Sequence, residues 1–128
     1  NKNKKALNGS KILILGVAYK KDIDDMRESP ALSIIDLLRA RGAEVVYHDP
    51  FVSEVTFDHA YTIGDAEPLT SNELTDELLK ECDCTIICTE HSAIDYTKVC
   101  ELAPLIVDTR NALSEDHRNG SAAKIVRL

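Results

Sequence analysis

The chain has 128 residues, 44% of them hydrophobic, a length that suits one core rather than two domains. Its formal net charge of −7 argues against nucleic acid as a ligand, because binding to phosphate backbones needs a broad basic face. Cations are concentrated near the start, with seven Lys or Arg against three acidic residues up to Arg27, so this end could bind a small anion. No apolar run approaches the roughly 20 residues of a membrane span and no signal peptide is visible, so we expect a soluble, cytoplasmic domain.

The chain alternates between predicted strands and helices. KILIL (11–15) is a short apolar run that ends at a glycine, as a buried parallel strand does. Ser29 and Pro30 are typical of a helix start, and the apolar spacing beyond them predicts a helix that ends near Gly42. AEVVYHDP (43–50) is the second predicted strand, broken by its proline.

The second half continues this alternation. Residues 51–69 show no sustained period and are expected to be mostly loop, with at most a short strand. Thr70 and Glu73 have capping-box spacing, which predicts a helix from there to about Glu81. The remaining predictions are a strand in CTIICTE (84–90), a helix in DYTKVCEL (95–102), a strand in LIVDTRN (105–111), a loop in SEDHRNGSAA (114–123) and an edge strand in KIVRL (124–128). The pattern predicts an α/β fold, a doubly wound and mostly parallel sheet with helices on both faces.

The four cysteines are expected to be reduced core residues. Cys82, Cys84 and Cys88 lie in or beside the apolar stretch CDCTIICTE, and strand alternation would place all three on one face. Zinc sites usually have cysteine pairs in turn-rich loops with a second pair elsewhere, whereas only Cys100 remains here. We therefore predict no metal site.

Ligands of doubly wound sheets bind beyond the carboxyl ends of the strands. The segments expected to converge there are 16–28, 48–49, 89–92 and 109–111. The first of these lies in GVAYKKDIDDMRESPAL (16–32), which has one glycine, so the three-glycine dinucleotide fingerprint fails. Its cations Lys20, Lys21 and Arg27 could bind phosphate oxygens or pair with the acidic residues of the same loop.

Three further polar residues follow strands. Asp49 has the position of a ribose-binding acid, but this signal is weak without the glycines. His91 could act in acid–base chemistry, although ordering of the next helix start is the simpler interpretation. His48 is expected to hold a strand end in place.

Three motifs in order, GVAYKKDIDDMRESPAL, YHDP and LIVDTRNAL, together resemble the C-terminal, UDP-binding domain of the UDP-glucose/GDP-mannose dehydrogenase family. The resemblance runs from about Leu7 to Leu113 and is greatest to the bacterial branch that acts on UDP-N-acetylhexosamines. It implies a Rossmann-like domain within a parent enzyme that also has an N-terminal NAD-binding domain and a central helix. That parent would oxidise the sugar C6 alcohol to a carboxylate in two hydride transfers to NAD, through a thioester on a cysteine. Residues 1–9 would then be a linker or the tail of the central helix, and residues 10–128 the UDP-sugar-binding domain.

The same resemblance implies roles for individual residues. Lys20 and Arg110 match positions that contact the UDP-sugar, and Arg27 matches an arginine that approaches the NAD pyrophosphate. Tyr19 could stack on a base or pack on its own loop. The catalytic cysteine belongs to a segment absent from this sequence, so no catalytic residue is assigned and the domain alone is expected to be non-catalytic. The family also implies a homodimer or larger parent, with UDP-N-acetylglucosamine or UDP-N-acetylmannosamine as leading substrates and UDP-glucose next.

Two other functions stay open on the sequence alone. An assembly domain with a degenerate site would have the same pattern, and a titration with UDP would distinguish it. A phospho-receiver signalling module has the same fold class, but the acidic residues and the lysine that it needs at its strand ends are missing from the corresponding positions.

Overall fold

The computed structural model describes residues 8–18, 30–55, 68–121 and 123–127. Its elements in chain order are β1 (Lys11–Leu15), α1 (Pro30–Ala40), β2 (Glu44–His48), β3 (Glu54–Val55), β4 (Leu69–Thr70), α2 (Asp76–Glu81), β5 (Cys84–Ile87), α3 (Tyr96–Leu102), β6 (Leu105–Asp108), α4 (Glu115–Asn119) and β7 (Lys124–Arg127). Within these ranges, none of the helices has the length and apolar character needed to cross a membrane.

Five strands form one parallel sheet in the order β2-β1-β5-β6-β7. The chain first moves from β1 to β2 on one side and then returns to build β5, β6 and β7 on the other side. β3 and β4 form a separate antiparallel pair, and the amide of Asn72, just after β4, donates to the carbonyl of Tyr47 in β2. The predicted α/β fold with a doubly wound, mostly parallel sheet is confirmed.

Helices cover both faces of this sheet, as predicted. Ile12 and Ile14 of β1 pack on one side with α1, whereas Leu13 and Leu15 pack on the other side with α2 and α3. Successive side chains of a strand point to opposite faces, so the unbroken apolar run of β1 contributes to both cores. All four side chains are at most 3% exposed.

Two sequence-based predictions in the second half are wrong. Thr70 does not start a helix, because it pairs with Glu54 between β3 and β4. α2 begins after Thr75, whose hydroxyl oxygen accepts a hydrogen bond from the amide of Leu78. The segment 114–123 is not entirely loop, since it contains α4, and Ser114 caps this helix together with the His117 side chain.

The cysteines are buried or half-buried and free, but they do not share one face. Cys84 and Cys88 lie on the side of α1, whereas Cys82 and Cys100 pack on the opposite side. Cys82 precedes β5 and forms the C-cap of α2, so strand alternation does not apply to it. Burial raises the pKa of Cys88 to about 12 and the pKa of Cys82 and of Cys84 to about 11. The thiolate is the reactive form, so none of these three thiols is activated as a nucleophile.

Candidate functional site

The carboxyl ends of the strands lie in register along one edge of the sheet. Leu15 of β1 is paired with His48 of β2 and with Ile87 of β5, and Ile87 is paired with Asp108 of β6. The next residue along each strand therefore belongs to one row, which consists of Gly16, Asp49, Cys88 and Thr109. The predicted convergence of the four strand ends is confirmed, and the point where the strand order reverses lies at β1.

β1 ends in a tight turn that requires a glycine. Gly16 has a φ of +83°, and its amide donates to the carbonyl of His48 at 2.9 Å. A Cβ at this position would lie 2.5 Å from the carbonyl oxygen of Thr89, much closer than side chains tolerate. The hydroxyl of Thr89 also donates to the carbonyl of Ala18 at 2.5 Å. The single glycine of the first motif thus permits the close approach of β1 to the end of β5.

Asp49 is a buried carboxylate that binds two segments of backbone. Its Oδ2 accepts hydrogen bonds from the amides of Val17 at 2.8 Å and Ala18 at 3.2 Å. Its Oδ1 accepts from the amides of Phe51 at 2.7 Å and Val52 at 3.2 Å. Both carboxylate oxygens are therefore engaged within the protein, and the weak signal for a ribose-binding acid is not supported.

His91 contributes to the same cluster. Its Nε2 lies 2.9 Å from Asp49 Oδ2, and both side chains are fully buried. The ring of Phe51, which is 43% exposed, lies 5.0 Å from the His91 ring, centroid to centroid. The buried contact to Asp49 agrees with a structural role for His91. The predicted ordering of the next helix start by this side chain is not observed, since Asp95 caps α3.

His48 has the structural role expected for it. Its Nδ1 lies 2.7 Å from the carbonyl oxygen of Asn72, and the Asn72 side chain donates back to the carbonyl of Tyr47. These contacts hold the end of β2 against the chain that follows β4.

A second buried carboxylate shapes the turn after β6. Asp108 is fully buried and accepts hydrogen bonds from the amides of Arg110 at 3.1 Å, Ala112 at 3.0 Å and Leu113 at 3.0 Å. The sequence analysis missed this role, although an Asp that bonds amides two or more residues later is a common turn signal. The turn holds the backbone of Arg110 at the carboxyl edge of the sheet.

The Arg110 side chain is exposed, and its charge acts on the neighbouring strand end. It lowers the pKa of Cys88, which follows β5, against the larger rise that burial causes. The next residue, Asn111, has a φ of 55°, and its side chain accepts a hydrogen bond from Arg127 of β7. Arg110 thus follows β6, whereas Arg127 is the last residue of the adjacent strand β7, and the sequence analysis singled out only Arg110.

Comparison with known proteins assigns the chain that carries this edge to a family. The model of the UDP-glucose/GDP-mannose dehydrogenase family, UDP binding domain, matches residues 13–115, which include all four strand ends. This chain belongs to that family. The family resemblance expected from the three sequence motifs is therefore confirmed.

Two curated relatives in the family illustrate the similarity. The UDP-glucose 6-dehydrogenase of Rickettsia bellii (strain RML369-C) is 36% identical over 121 residues, which cover 86% of this chain and 26% of the relative. The UDP-N-acetyl-D-mannosamine dehydrogenase of Methanococcus maripaludis (strain C7 / ATCC BAA-1331) is 30% identical over 122 residues, which cover 89% of this chain and 26% of the relative. The chain thus spans about a quarter of the length of the relatives that it matches.

Solved structures agree with the family fold. A UDP-glucose dehydrogenase from Pyrobaculum islandicum superposes with a TM-score of 0.66 at 31% identity, over 96% of this chain and 26% of that chain. A UDP-D-ManNAc dehydrogenase from Pyrococcus horikoshii superposes with a TM-score of 0.72 over 99% of this chain and 27% of that chain, and at 22% identity it supports the fold alone.

Of the residues that the sequence assigns to ligands in this family domain, Arg110 lies within the described part of the chain, at the carboxyl edge of the sheet. Tyr19, Lys20 and Arg27 fall in residues 19–29, outside the described residues, so their roles stay predictions. Among the described residues, no group of three or more His, Cys, Asp or Glu side chains could hold a metal ion.

Proposed function

We propose that this chain is the UDP-sugar-binding domain of an NAD-dependent UDP-sugar 6-dehydrogenase. The parent enzyme oxidises the C6 alcohol of the sugar to a carboxylate in two hydride transfers. The observation that carries the proposal is the exposed Arg110 at the carboxyl edge of a sheet whose family model is that of a UDP-binding domain. UDP-N-acetylglucosamine or UDP-N-acetylmannosamine is the favoured substrate and UDP-glucose is next, and the names of the relatives include both an N-acetylhexosamine and a glucose dehydrogenase.

In this proposal the diphosphate is bound by cations of two kinds. Arg110 offers a planar guanidinium that can donate two parallel hydrogen bonds to phosphate oxygens, and Asp108 holds its backbone amide in place. Lys20 adds a point charge from the first motif. Tyr19 lies next to it in the sequence, and two roles stay open for it: stacking on the base or packing on its own loop.

NAD is proposed to bind mainly to another domain of the parent. The described residues do not form a dinucleotide site, because the turn after β1 has one glycine and both oxygens of Asp49 are engaged by protein groups. In the proposal, Arg27 reaches the NAD pyrophosphate from this domain, and the chain alone performs no hydride transfer. The proposal extends to a cytoplasmic parent that is a homodimer or larger and that serves polysaccharide biosynthesis.

A titration of the chain with UDP tests the proposal. Two cationic hydrogen-bond donors could contribute about 3 to 6 kcal/mol. Binding free energies of about −4 to −6 kcal/mol correspond to dissociation constants from about 1 mM down to tens of micromolar. Calorimetry or NMR shifts can measure this range, and the affinity should fall as salt screens the exposed charges.

Two substitutions of the same kind make the titration specific. Arg110→Lys should weaken UDP binding several-fold although the charge is kept, because the planar fork is lost. Arg39→Lys in the last turn of α1 is the matched control and should leave the affinity unchanged. Binding of UDP no tighter than that of inorganic phosphate, or equal effects of the two substitutions, would refute the proposal in favour of an assembly domain with a degenerate site.

A further inference from the structure

We propose that Asp49, His91 and Thr89 are positioning residues for nucleotide binding, because together they fix the backbone of residues 16–18, from which the first motif continues. We refer to these three side chains as the 16–18 clamp. The inference rests on the proposed function, since the motif that the clamp holds contains the predicted phosphate-binding Lys20.

Two side chains of the clamp form hydrogen bonds with two backbone amides and one backbone carbonyl of Val17 and Ala18. Asp49 Oδ2 accepts from the amides of Val17 and Ala18, and the hydroxyl of Thr89 donates to the carbonyl of Ala18. Oδ2 already accepts from two amides, so we assign the proton of the contact with His91 to Nε2, which then donates to the carboxylate. The His91 ring thus orients the carboxylate that holds the two amides.

The members of the clamp come from distant parts of the chain. Asp49 follows β2, whereas Thr89 and His91 follow β5, and residues 16–18 follow β1, which lies between those two strands. The hydrogen bond from Val17 to Asp49 spans 32 residues, and the contact from Asp49 to His91 spans 42. The clamp therefore lies where the strand order reverses, which is where doubly wound sheets bind their ligands.

Because the groups of the clamp are buried, water cannot replace these hydrogen bonds when one of them is lost. The side chains of Asp49 and His91 are fully buried, and Val17 and Ala18 are at most 1% exposed. Removal of the His91 donor leaves the buried Asp49 carboxylate with one hydrogen-bond partner fewer. We expect the surrounding backbone to shift so that other donors replace the lost hydrogen bond.

A shift of Ala18 is transmitted to the predicted ligand-binding residue. Lys20 is only two residues further along the chain, so a displaced Ala18 displaces the start of the segment that carries it. Charge-assisted hydrogen bonds to phosphate are about 2.7 to 2.9 Å long, so a displacement of about 1 Å is enough to break one. The clamp thus determines whether the first motif begins in the position that nucleotide binding needs.

Three histidine variants test the role in UDP binding. We expect His91→Leu to weaken UDP binding about tenfold or more, because a displaced Lys20 would lose a hydrogen bond to a charged phosphate oxygen. His91→Gln can still donate to Asp49 and should recover most of the affinity. His117→Leu is the control, because it removes a histidine that accepts from the amide of Ser114 and lies beside Tyr96, outside the clamp, and it should bind UDP as the wild type does.

Amide hydrogen exchange gives a second readout that does not need UDP. In His91→Leu, exchange of the Val17 and Ala18 amides should accelerate more than tenfold, while exchange at Ile106 in the centre of the sheet should change little. If His91→Leu does not fold, Thr89→Val and Thr89→Ser test the same clamp, since only Thr89→Ser keeps the hydroxyl that donates to Ala18. Thr89→Val should then lose UDP affinity and Thr89→Ser should retain it.

The outcomes distinguish this inference from the proposed function. A wild-type chain that does not bind UDP refutes the proposed function, and the exchange rates of Val17 and Ala18 still report on the clamp. A folded His91→Leu variant with wild-type UDP affinity, or with wild-type exchange at Val17 and Ala18, overturns the positioning role alone. Equal losses of affinity in His91→Leu and His117→Leu would also overturn it, because they would indicate general destabilisation.

Discussion

Gly16→Ala should destabilise the fold far more than a glycine substitution with a similar backbone angle elsewhere. Gly16 and Gly9 have φ values of +83° and +86°. An alanine at either position would therefore adopt a left-handed backbone conformation, which lowers the stability of the folded state. The two positions differ in their surroundings. A Cβ at Gly16 would lie 2.5 Å from Thr89 O and 2.6 Å from Thr89 Cβ, whereas at Gly9 no described heavy atom lies within 4 Å.

The expected loss in the free energy of unfolding has two contributions, the left-handed backbone and the close contact with Thr89. The left-handed conformation costs an alanine about 1 to 2 kcal/mol, of which the lower entropy of the unfolded alanine chain returns about 0.4 to 1 kcal/mol. At Gly16 the overlap with backbone forces β1 and β5 apart, and such overpacking adds about 1 to 3 kcal/mol. We therefore expect Gly9→Ala to lower the free energy of unfolding by about 1 kcal/mol and Gly16→Ala by about 2 to 4 kcal/mol.

Urea denaturation followed by circular dichroism measures both variants. The difference between them should lower the denaturation midpoint of Gly16→Ala by about 1 M relative to Gly9→Ala, with similar slopes. Equal midpoints for the two variants would show that the close approach of Gly16 to Thr89 does not constrain the native state.

Two further predictions concern buried polar groups. Thr85 is fully buried in the central strand β5, and its hydroxyl has no hydrogen-bond partner among the described residues, so Thr85→Val should raise the free energy of unfolding by about 1 kcal/mol in urea titrations. A loss of stability would mean that the hydroxyl is paired. The pKa of Cys88 is raised to about 12 and those of Cys82 and Cys84 to about 11, so iodoacetamide should label these thiols slowly at pH 7.5 and faster only as the pH rises above 10 or when urea unfolds the chain. Mass spectrometry that finds any of the three labelled within minutes at pH 7.5 would contradict this.

Local sequence determined the elements whose periodicity or end signals are strong. β1 was predicted at its observed bounds because five apolar residues end at a glycine, and α1 because Pro30 starts an apolar face that repeats every three to four residues. The motifs were also sufficient to assign the family. GVAYKKDIDDMRESPAL begins directly after β1, whereas YHDP and LIVDTRNAL include the ends of β2 and β6. The last motif also singled out Arg110 as a residue expected to contact the UDP-sugar.

Local signals failed where a tertiary partner competed for the same groups. Thr70 and Glu73 have the spacing of a capping box, but the amides of Ser71 and Asn72 donate to carbonyls of Ser53 and Tyr47, which holds this stretch beside β2. α4 was missed for a different reason: it has no buried residue and so no apolar stripe, and its cap uses His117 where the usual pattern has Glu or Gln.

The buried contact between Asp49 and His91 depends on the tertiary structure alone. Each follows a strand and each was correctly expected near the edge of the sheet, but no spacing in the sequence links two residues that lie 42 positions apart. Parallel pairing of β2, β1 and β5 brings them together, and burial then makes every hydrogen bond of the carboxylate obligatory. The sequence by itself determined which residue types stand at the strand ends, because those depend on local pattern. The fold decided which of them are exposed, as Arg110 is, and which are buried in hydrogen bonds within the protein, as Asp49 and His91 are.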